Sequence, residues 1–461
     1  MERRERQRTS HNEPSSPGPR ADKARINLEL ELQRNSWLRI GLLAKHEHFI
    51  FNNLLQHFNV ENLREAFHAL DASKAVGSDG ITKHHYGQKL DENLKDLENR
   101  IHRQSFRPQP KREVFIPKAN GKKRPIAISS FEDKLVEWVL AKILSTVFEP
   151  LFIRTSFGFR PRRSAHDAIK ASYRSLKDHK RPFVVEMDLA SFFNTVSHRR
   201  LMRYVKKKIS DRRLLGLIAR FLQAGILDQA GNIAFNEIGT PQGSVMSPVL
   251  ANIFLHHALD VWFLEHYASR DAVIVRYADD AVFFFKSEQE AHAFAIALKE
   301  RMTDKQLTLN EDKSGQLSFS PQSGKVFSFL GFTFFWGKEQ HSERKILKVK
   351  TEKSRLIKSI QTYTDWIKQV RGRFPLAEIW KQTAAKLRGH YNYYGVSLNR
   401  SKLNHYYHST IGLLFKWLNR RSQRKSFTWE KFTHRLRCNP LPMPPVSSAL
   451  KPLDDRRKYA F

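Results

Sequence analysis

Cysteine is nearly missing from this chain: Cys438 is the only one in 461 residues. A disulfide framework within the chain is excluded, as is any zinc site built on several thiolates, and a reducing cytosol is the expected compartment. Long apolar runs are missing too. No stretch approaches the roughly 18 consecutive apolar residues of a membrane span, and the opening MERRERQRTS has no apolar centre to make a secretory signal. A cytoplasmic protein without a membrane partner is expected. Acidic residues are the third scarcity, with 46 Asp and Glu against 80 Lys and Arg, a formal charge of +34 and a pI near 10.2. Such an excess asks for a polyanionic partner, nucleic acid first.

The surplus is uneven. Residues 341 to 461 hold 27 Lys and Arg but 7 Asp and Glu, so binding there should weaken with salt as neutralised phosphates release counterions. A hydrophobic content of 40% excludes disorder throughout and allows about three domain-sized units. Residues 1 to 25 carry Pro14, Pro17, Gly18 and Pro19 without apolar periodicity and read as a flexible basic tail. Helices are expected from near Ile26 to about Arg107, interrupted at Gly77-Ser78-Asp79-Gly80. EVFIPK and KKRPIAIS, around Asn120-Gly121, read as a two-stranded hairpin. PFVVEMDL at 182 to 189 reads as a buried strand ending in a charge. Ser247 is expected to cap a helix whose first turn holds Pro248, and AVIVRYADDAVFFF reads as two strands joined by a tight acidic turn. From about Lys353 the chain is helical, basic and rich in rings.

Two carboxylates, Asp279 and Asp280, thus fall at a hairpin tip between apolar strands, where burial without a cation would be costly. Asp188 ends another strand. With Asp279 it could hold two Mg²⁺ ions about 3.5–4 Å apart for in-line phosphoryl transfer; an isolated hydrophilic hairpin tip is the alternative. Lys118 and Arg124 flank a hairpin that could close on a triphosphate with two cations.

In ordered blocks from about Val60 to Pro445, the chain resembles the reverse transcriptases encoded by bacterial group II introns. The blocks are GSDGIT, IPKANGKKRPIAIS, SFGFRPRRSAHDA, MDLASFFNTV, GTPQGSVMSPVLANIFL, RYADDAVFF, LTLNEDKS and FLGF. The resemblance implies an α+β right-hand polymerase with fingers and an antiparallel-sheet palm at 26–337, a helical thumb at 338–400, and a small helical maturase-like region, domain X, at 401–461. It implies an RNA-directed DNA polymerase of the bacterial cytoplasm using two Mg²⁺ ions, dNTPs, an RNA template and a DNA or RNA primer, with group II intron RNA as a further partner. The catalytic and metal-binding residues would be Asp188, Asp279 and Asp280, the last acting less directly.

For the nucleotide, the resemblance implies Lys118, Arg124, Phe193, Gln242 and Lys313. Phe193 matches the ring that crowds the 2′ carbon of an incoming nucleotide and excludes ribose; the alternative is a core aromatic beside Phe192. Gln242 would lie against the nascent base pair, Lys313 behind the carboxylates, and Leu330-Gly331-Phe332 at the primer end. Arg388, Arg420, Arg421, Arg424 and Lys425 are the candidate RNA contacts, with neighbouring Tyr and Trp rings either stacking on unpaired bases or forming the core between helices. The family's endonuclease module needs His and several Cys ligands, so second-strand cleavage is not expected. Two other readings stay open: a non-enzymatic RNA-binding splicing factor on a decayed polymerase scaffold, against which the retained Asp188, Asp279, Asp280, Lys118 and Arg124 argue, and a free-standing polymerase in host defence or DNA repair.

Overall fold

The computed structural model describes residues 35–117, 123–177, 181–235, 238–339, 341–421 and 427–454. The basic tail, the helix start near Ile26 and the Asn120-Gly121 turn lie outside them. Helices α1 (Ser36–Leu43), α2 (Val60–Ala69) and α3 (Leu90–His102) surround α4 (Phe131–Phe148). The central helix is apolar on most sides, as a helix covered by neighbours must be. The expected hairpin forms from β1 (Lys111–Pro117) and β2 (Lys123–Ile128), paired from Arg112↔Ile128 to Pro117↔Lys123. Lys111 is fully buried at its base and paired with the equally buried Glu137. The second Glu137 oxygen accepts the Val245 amide at 2.9 Å, so one buried ion pair ties hairpin, α4 and the 239–246 loop together.

After α5 (Ala165–Lys177), strand β3 (Phe183–Met187) and helices α6 (His198–Val205) and α7 (Arg212–Gln223), the short strands β4 (Ile226–Leu227) and β5 (Ile233–Ala234) extend the hairpin sheet in the order β2-β1-β4-β5. Helix α8 (Ser247–Leu255) runs through a π turn, His256–Asp260, into α9 (Val261–Tyr267). Ser247 does not cap it. It is the first helical residue, Met246 stands at the cap, and the Ser247 hydroxyl donates to Pro241 O at 2.9 Å instead. The proline in the first turn does what was expected of it, since its missing N–H would have been an orphan there.

The central antiparallel sheet has the order β6-β7-β3-β8, from β6 (Val273–Tyr277), β7 (Asp280–Phe285) and β8 (Gly315–Ser318). Helix α10 (Glu288–Asp304) packs against it, and one large apolar core runs from this face into the N-terminal helices. A second sheet, β11-β10-β9, follows from β9 (Phe327–Phe329), β10 (Phe332–Lys338) and β11 (Lys345–Thr351). Its Leu330-Gly331 turn has positive φ at both residues, the twist-matched form for a two-residue hairpin.

Helices α11 (Lys353–Val370), α12 (Leu376–Tyr394) and α13 (Arg400–Leu418) share one core with Phe432 of α14 (Trp429–Cys438). The boundary placed at residue 400 from sequence therefore runs through a packed unit, because α13 supplies Leu403, Tyr406, Leu414 and Leu418 to the core of α11 and α12. From Asn439 the chain returns along α12. Asn439 O accepts Trp380 Nε1 at 2.8 Å and Pro442 O accepts the Tyr391 hydroxyl at 3.2 Å. Leu453 then enters the core between the two sheets, and Asp454 pairs with Lys177 of α5.

Candidate active site

Asp188 follows the last residue of β3, and the pairing Met187↔Ala281 sets it across from Asp280 at the start of β7. Two donors hold one of its oxygens: Asn310 Nδ2 at 2.8 Å and Lys313 Nζ at 3.1 Å from Oδ2. The Ser314 hydroxyl accepts its amide at 3.1 Å. On the neighbouring hairpin, Tyr277 pairs with Asp280, so Ala278 and Asp279 form a two-residue turn. Ala278 has φ +58°, a conformation glycine usually takes.

The three carboxylates feel one another. Burial raises the Asp280 carboxyl to about 7, helped by a hydrogen bond to Asp188 and by the Asp279 charge. Burial also raises Asp279, and Asp188 adds to the rise, while Arg124 and Arg276 oppose it. Concentrated negative charge in a half-buried place is relieved by a bound cation, and hard oxygen donors suit Mg²⁺. Among the described residues no three His, Cys, Asp or Glu side chains form a ready-made metal cage. Mg²⁺ commonly takes one or two carboxylates and completes its shell with water and substrate phosphates.

Arg124, Phe193 and Gln242 meet on one side of the carboxylates. Arg124 Nε donates to Gln242 Oε1 at 2.6 Å, Gln242 Nε2 donates to Asn194 Oδ1 at 3.3 Å, and Ala127 N donates to Gln242 O at 2.7 Å. Phe193 is half-buried, edge-on to Phe159 at 6.4 Å, and lines a cavity of about 310 Å³ with Ile126, Gly239 and Gln242. Lys118 lies outside the described residues. On the other side a cavity of about 650 Å³ is bounded by Asp188, Asp280, Lys313, Leu330, Gly331 and Arg355. Tyr393 of α12 reaches this side and donates its hydroxyl to Leu330 O at 3.0 Å.

The distal RNA candidates sort differently. Arg388 is exposed on α12. Arg420 sits 5.1 Å from the Trp417 ring, which Arg371 also covers at 4.9 Å, while Arg421 Nη2 donates to Phe374 O at 3.2 Å. Arg424 and Lys425 lie outside the described residues. Of the rings considered for stacking, Trp380 and Tyr391 are core residues, and Trp429 is half exposed at 52%.

Several residues at the site escaped sequence reasoning. Arg276 is fully buried in β6 beneath the acidic turn. It grips Asp260 of the π turn with Nε–Oδ1 at 2.7 Å and Nη2–Oδ2 at 2.5 Å, and its Nη1 donates to Asn252 Oδ1 at 3.0 Å and Ala278 O at 2.9 Å. Asn252 Nδ2 in turn donates to Gly158 O at 2.8 Å. Gly158 lies so close that a methyl there would stand 2.3 Å from the Ala278 amide nitrogen. The available signal was a lone arginine in the apolar strand VIVRY and a lone aspartate in an apolar helix, each needing a partner.

Comparison with known proteins places the chain among relatives. The family described as Reverse transcriptase (RNA-dependent DNA polymerase) matches residues 116–334. Protein YkfC of Escherichia coli is 30% identical over 357 residues, covering 68% of this chain and 91% of that protein. The group II intron-encoded protein LtrA of Lactococcus lactis is 36% identical over 203 residues, 43% of this chain and 33% of LtrA. The 91 kDa protein in cob intron of Schizosaccharomyces pombe is 40% identical over 153 residues, 33% of this chain and 19% of that protein. The matched segments thus span a third or less of these two intron proteins.

Proposed function

The chain belongs to the reverse transcriptase family, among relatives that include group II intron-encoded proteins, and from that premise we propose that it is an RNA-directed DNA polymerase that also binds intron RNA to assist splicing and mobility. One observation carries the catalytic part: Asp188, Asp279 and Asp280 converge at a strand end and a strained hairpin tip, with the Arg124–Gln242 pair beside them. The donor set fits Mg²⁺, and Asp188, Asp279 and Asp280 are the residues that would hold it. Bound there, two such ions would offset charge on the attacking and leaving oxygens.

The chain's own groups then divide the work. Asn310 and Lys313 fix the Asp188 carboxylate by hydrogen bonds to one oxygen, Oδ2. Arg124 and Lys118 bind the triphosphate of the incoming dNTP, Gln242 orients the nucleotide against its template base, and Phe193 excludes a ribose hydroxyl by bulk. Leu330-Gly331, braced by Tyr393, supports the primer end. Helices α11 to α13 act as the thumb on the primer–template duplex. Arg388, Arg420, Arg421, Arg424 and Lys425 contact RNA, the last four within a maturase-like region whose target is intron RNA. No helix among the described residues is long and apolar enough to cross a membrane, and with RNA and dNTPs as substrates the bacterial cytoplasm is the proposed site of action.

The test is extension of a DNA primer on an RNA template with Mg²⁺ and dNTPs, run beside splicing of a group II intron RNA. Extension without splicing assistance would leave a free-standing polymerase, and splicing assistance without extension would leave a scaffold that has lost its chemistry.

A further inference from the structure

The strained turn carrying Asp279 does not hold itself. Ala278 keeps a positive φ, a conformation unfavourable for a residue with a Cβ, so its surroundings must impose it. Two contacts do so. Gly158 packs against the Tyr277–Ala278 peptide, and Arg276 Nη1 donates to Ala278 O at 2.9 Å. The Arg276 fork is aimed by Asp260 and Asn252, both buried on one continuous helix. The π turn at His256–Asp260 makes this reach feasible. In an unbroken α-helix, residues eight apart drift away from a common face; the wider turn sets back that drift, so Asn252 and Asp260 present to the same guanidinium. π turns of this kind recur at functional sites.

Resting on the reading that these carboxylates take a divalent cation, we infer that Arg276, clamped by Asp260 and Asn252, is a positioning residue that fixes the Ala278-Asp279 turn and so sets how tightly the site binds its metal. Arg276 touches no substrate. It acts through the turn backbone, and its backbone amide and carbonyl, bonded to Thr155 O and Phe157 N, join the turn to the SFGFR segment as well. Partners one step behind a metal's ligands typically contribute 10- to 100-fold in affinity.

The experiment is a Mn²⁺ titration followed by electron paramagnetic resonance. It uses the full chain bound to an RNA template and a DNA primer ended in a dideoxynucleotide, with the matching dNTP present so that no bond can form. Asp260→Asn keeps the shape but removes the counter-charge, Arg276→Lys keeps the charge but removes the fork, and Asn252→Ala spares the ion pair. All are measured below the melting temperature of the weakest variant. Asp260→Asn and Arg276→Lys are expected to weaken Mn²⁺ binding by about tenfold or more, and Asn252→Ala by about threefold. Mn²⁺ affinity within twofold of the parent in the variants that fold would overturn the proposal and leave the network a support for the core. Should the two ion-pair variants fail to fold, Asn252→Ala decides alone. Asp279→Asn separates this failure from that of the underlying reading: if it binds Mn²⁺ as the parent does, the metal site itself is wrongly placed.

Discussion

Charge is used in opposite ways in two regions of this molecule. At the central sheet the charged groups are few and pinned: Arg276 and Asp260 are both fully buried, and each carboxylate of the site has identified neighbours. In the C-terminal helices the cations crowd the outside, and two of them, Arg371 and Arg420, lie over the single indole of Trp417 within about 5 Å. A buried charge is kept only with a partner in good geometry, so it fixes positions. A crowded exposed set repels itself until an anion arrives, so it fixes affinity and salt dependence. The two regions are sewn together by the segment after Asn439, which closes the helical core with Leu441 and Leu450 and enters the sheet core with Leu453.

The comparison breaks most visibly at the carboxylates. Asp279→Asn should lower primer extension by about 10³-fold or more, as expected where a group that stabilises developing charge is removed, while affinity for the primer–template duplex stays within a few-fold. Extension rates and gel-shift affinities on one preparation check this; extension retained in the variant would place the chemistry elsewhere. Removing residues 440–461 tests the seam instead. It uncovers Trp380 and Tyr391 and takes Leu453 from the sheet core, so the melting temperature should fall by several °C, with weaker duplex binding and slower extension together. An unchanged melting curve would mean the returning segment lies loosely on both cores.

Phe193→Ala is next in size. If Phe193 excludes the 2′-hydroxyl by bulk, preference for dNTP over rNTP in single-nucleotide insertion should drop by about 10- to 100-fold. Preference unchanged with stability lost would make the ring a core residue packed on Phe159 and Phe192.

Proton linkage gives a smaller effect with a definite sign. Asp280, held near 7 by burial and by Asp188, has a folded value above that of an unfolded aspartate. Its contribution favours the metal-free fold at low pH and is lost as pH rises through about 7. A cation that binds only the ionised form restores it. The rise in melting temperature on adding Mg²⁺ should therefore be larger at pH 8 than at pH 6, by a few °C at most. An equal rise at both would show that Asp280 does not face the ion.

Strands and turns around the site were legible because each carries a local signal: alternating or continuous apolar residues ending in Asp188, and the interruption Ala278-Asp279-Asp280 between VIVRY and AVFFF. The ordered blocks supplied the roles proposed for them. What escaped was partnership at long range. Nothing local in VIVRY says that Arg276 meets Asp260, sixteen residues earlier in a helix, or that this helix widens into a π turn to allow it. The Ser247 cap failed for a similar reason, since the hydroxyl found Pro241 O, a partner set by the returning loop. The boundary at residue 400 came from the resemblance, and only packing tells that α13 joins the core of α11 and α12.

The smallest expected effect bears on the exposed half of the comparison. Arg420→Gln with Arg421→Gln removes two exposed cations without opening a core, since Arg420 covers a ring from outside and Arg421 donates to Phe374 O. If both contact phosphates, the slope of log affinity for structured RNA against log salt should fall by roughly 1.4 to 1.8, at about 0.7–0.9 per phosphate. Extension on a generic template at low salt should be unchanged, because that track runs past Arg124 and Leu330 rather than the far ends of α11 and α13. Filter binding of intron RNA from low to moderate salt, beside extension on the same preparation, checks both halves. Equal loss of the two activities would move these arginines onto the primer–template track. An unaltered slope would leave them a solvated face, with Arg420 kept at the ring by cation–π attraction worth about 0.5–1 kcal/mol at an exposed site.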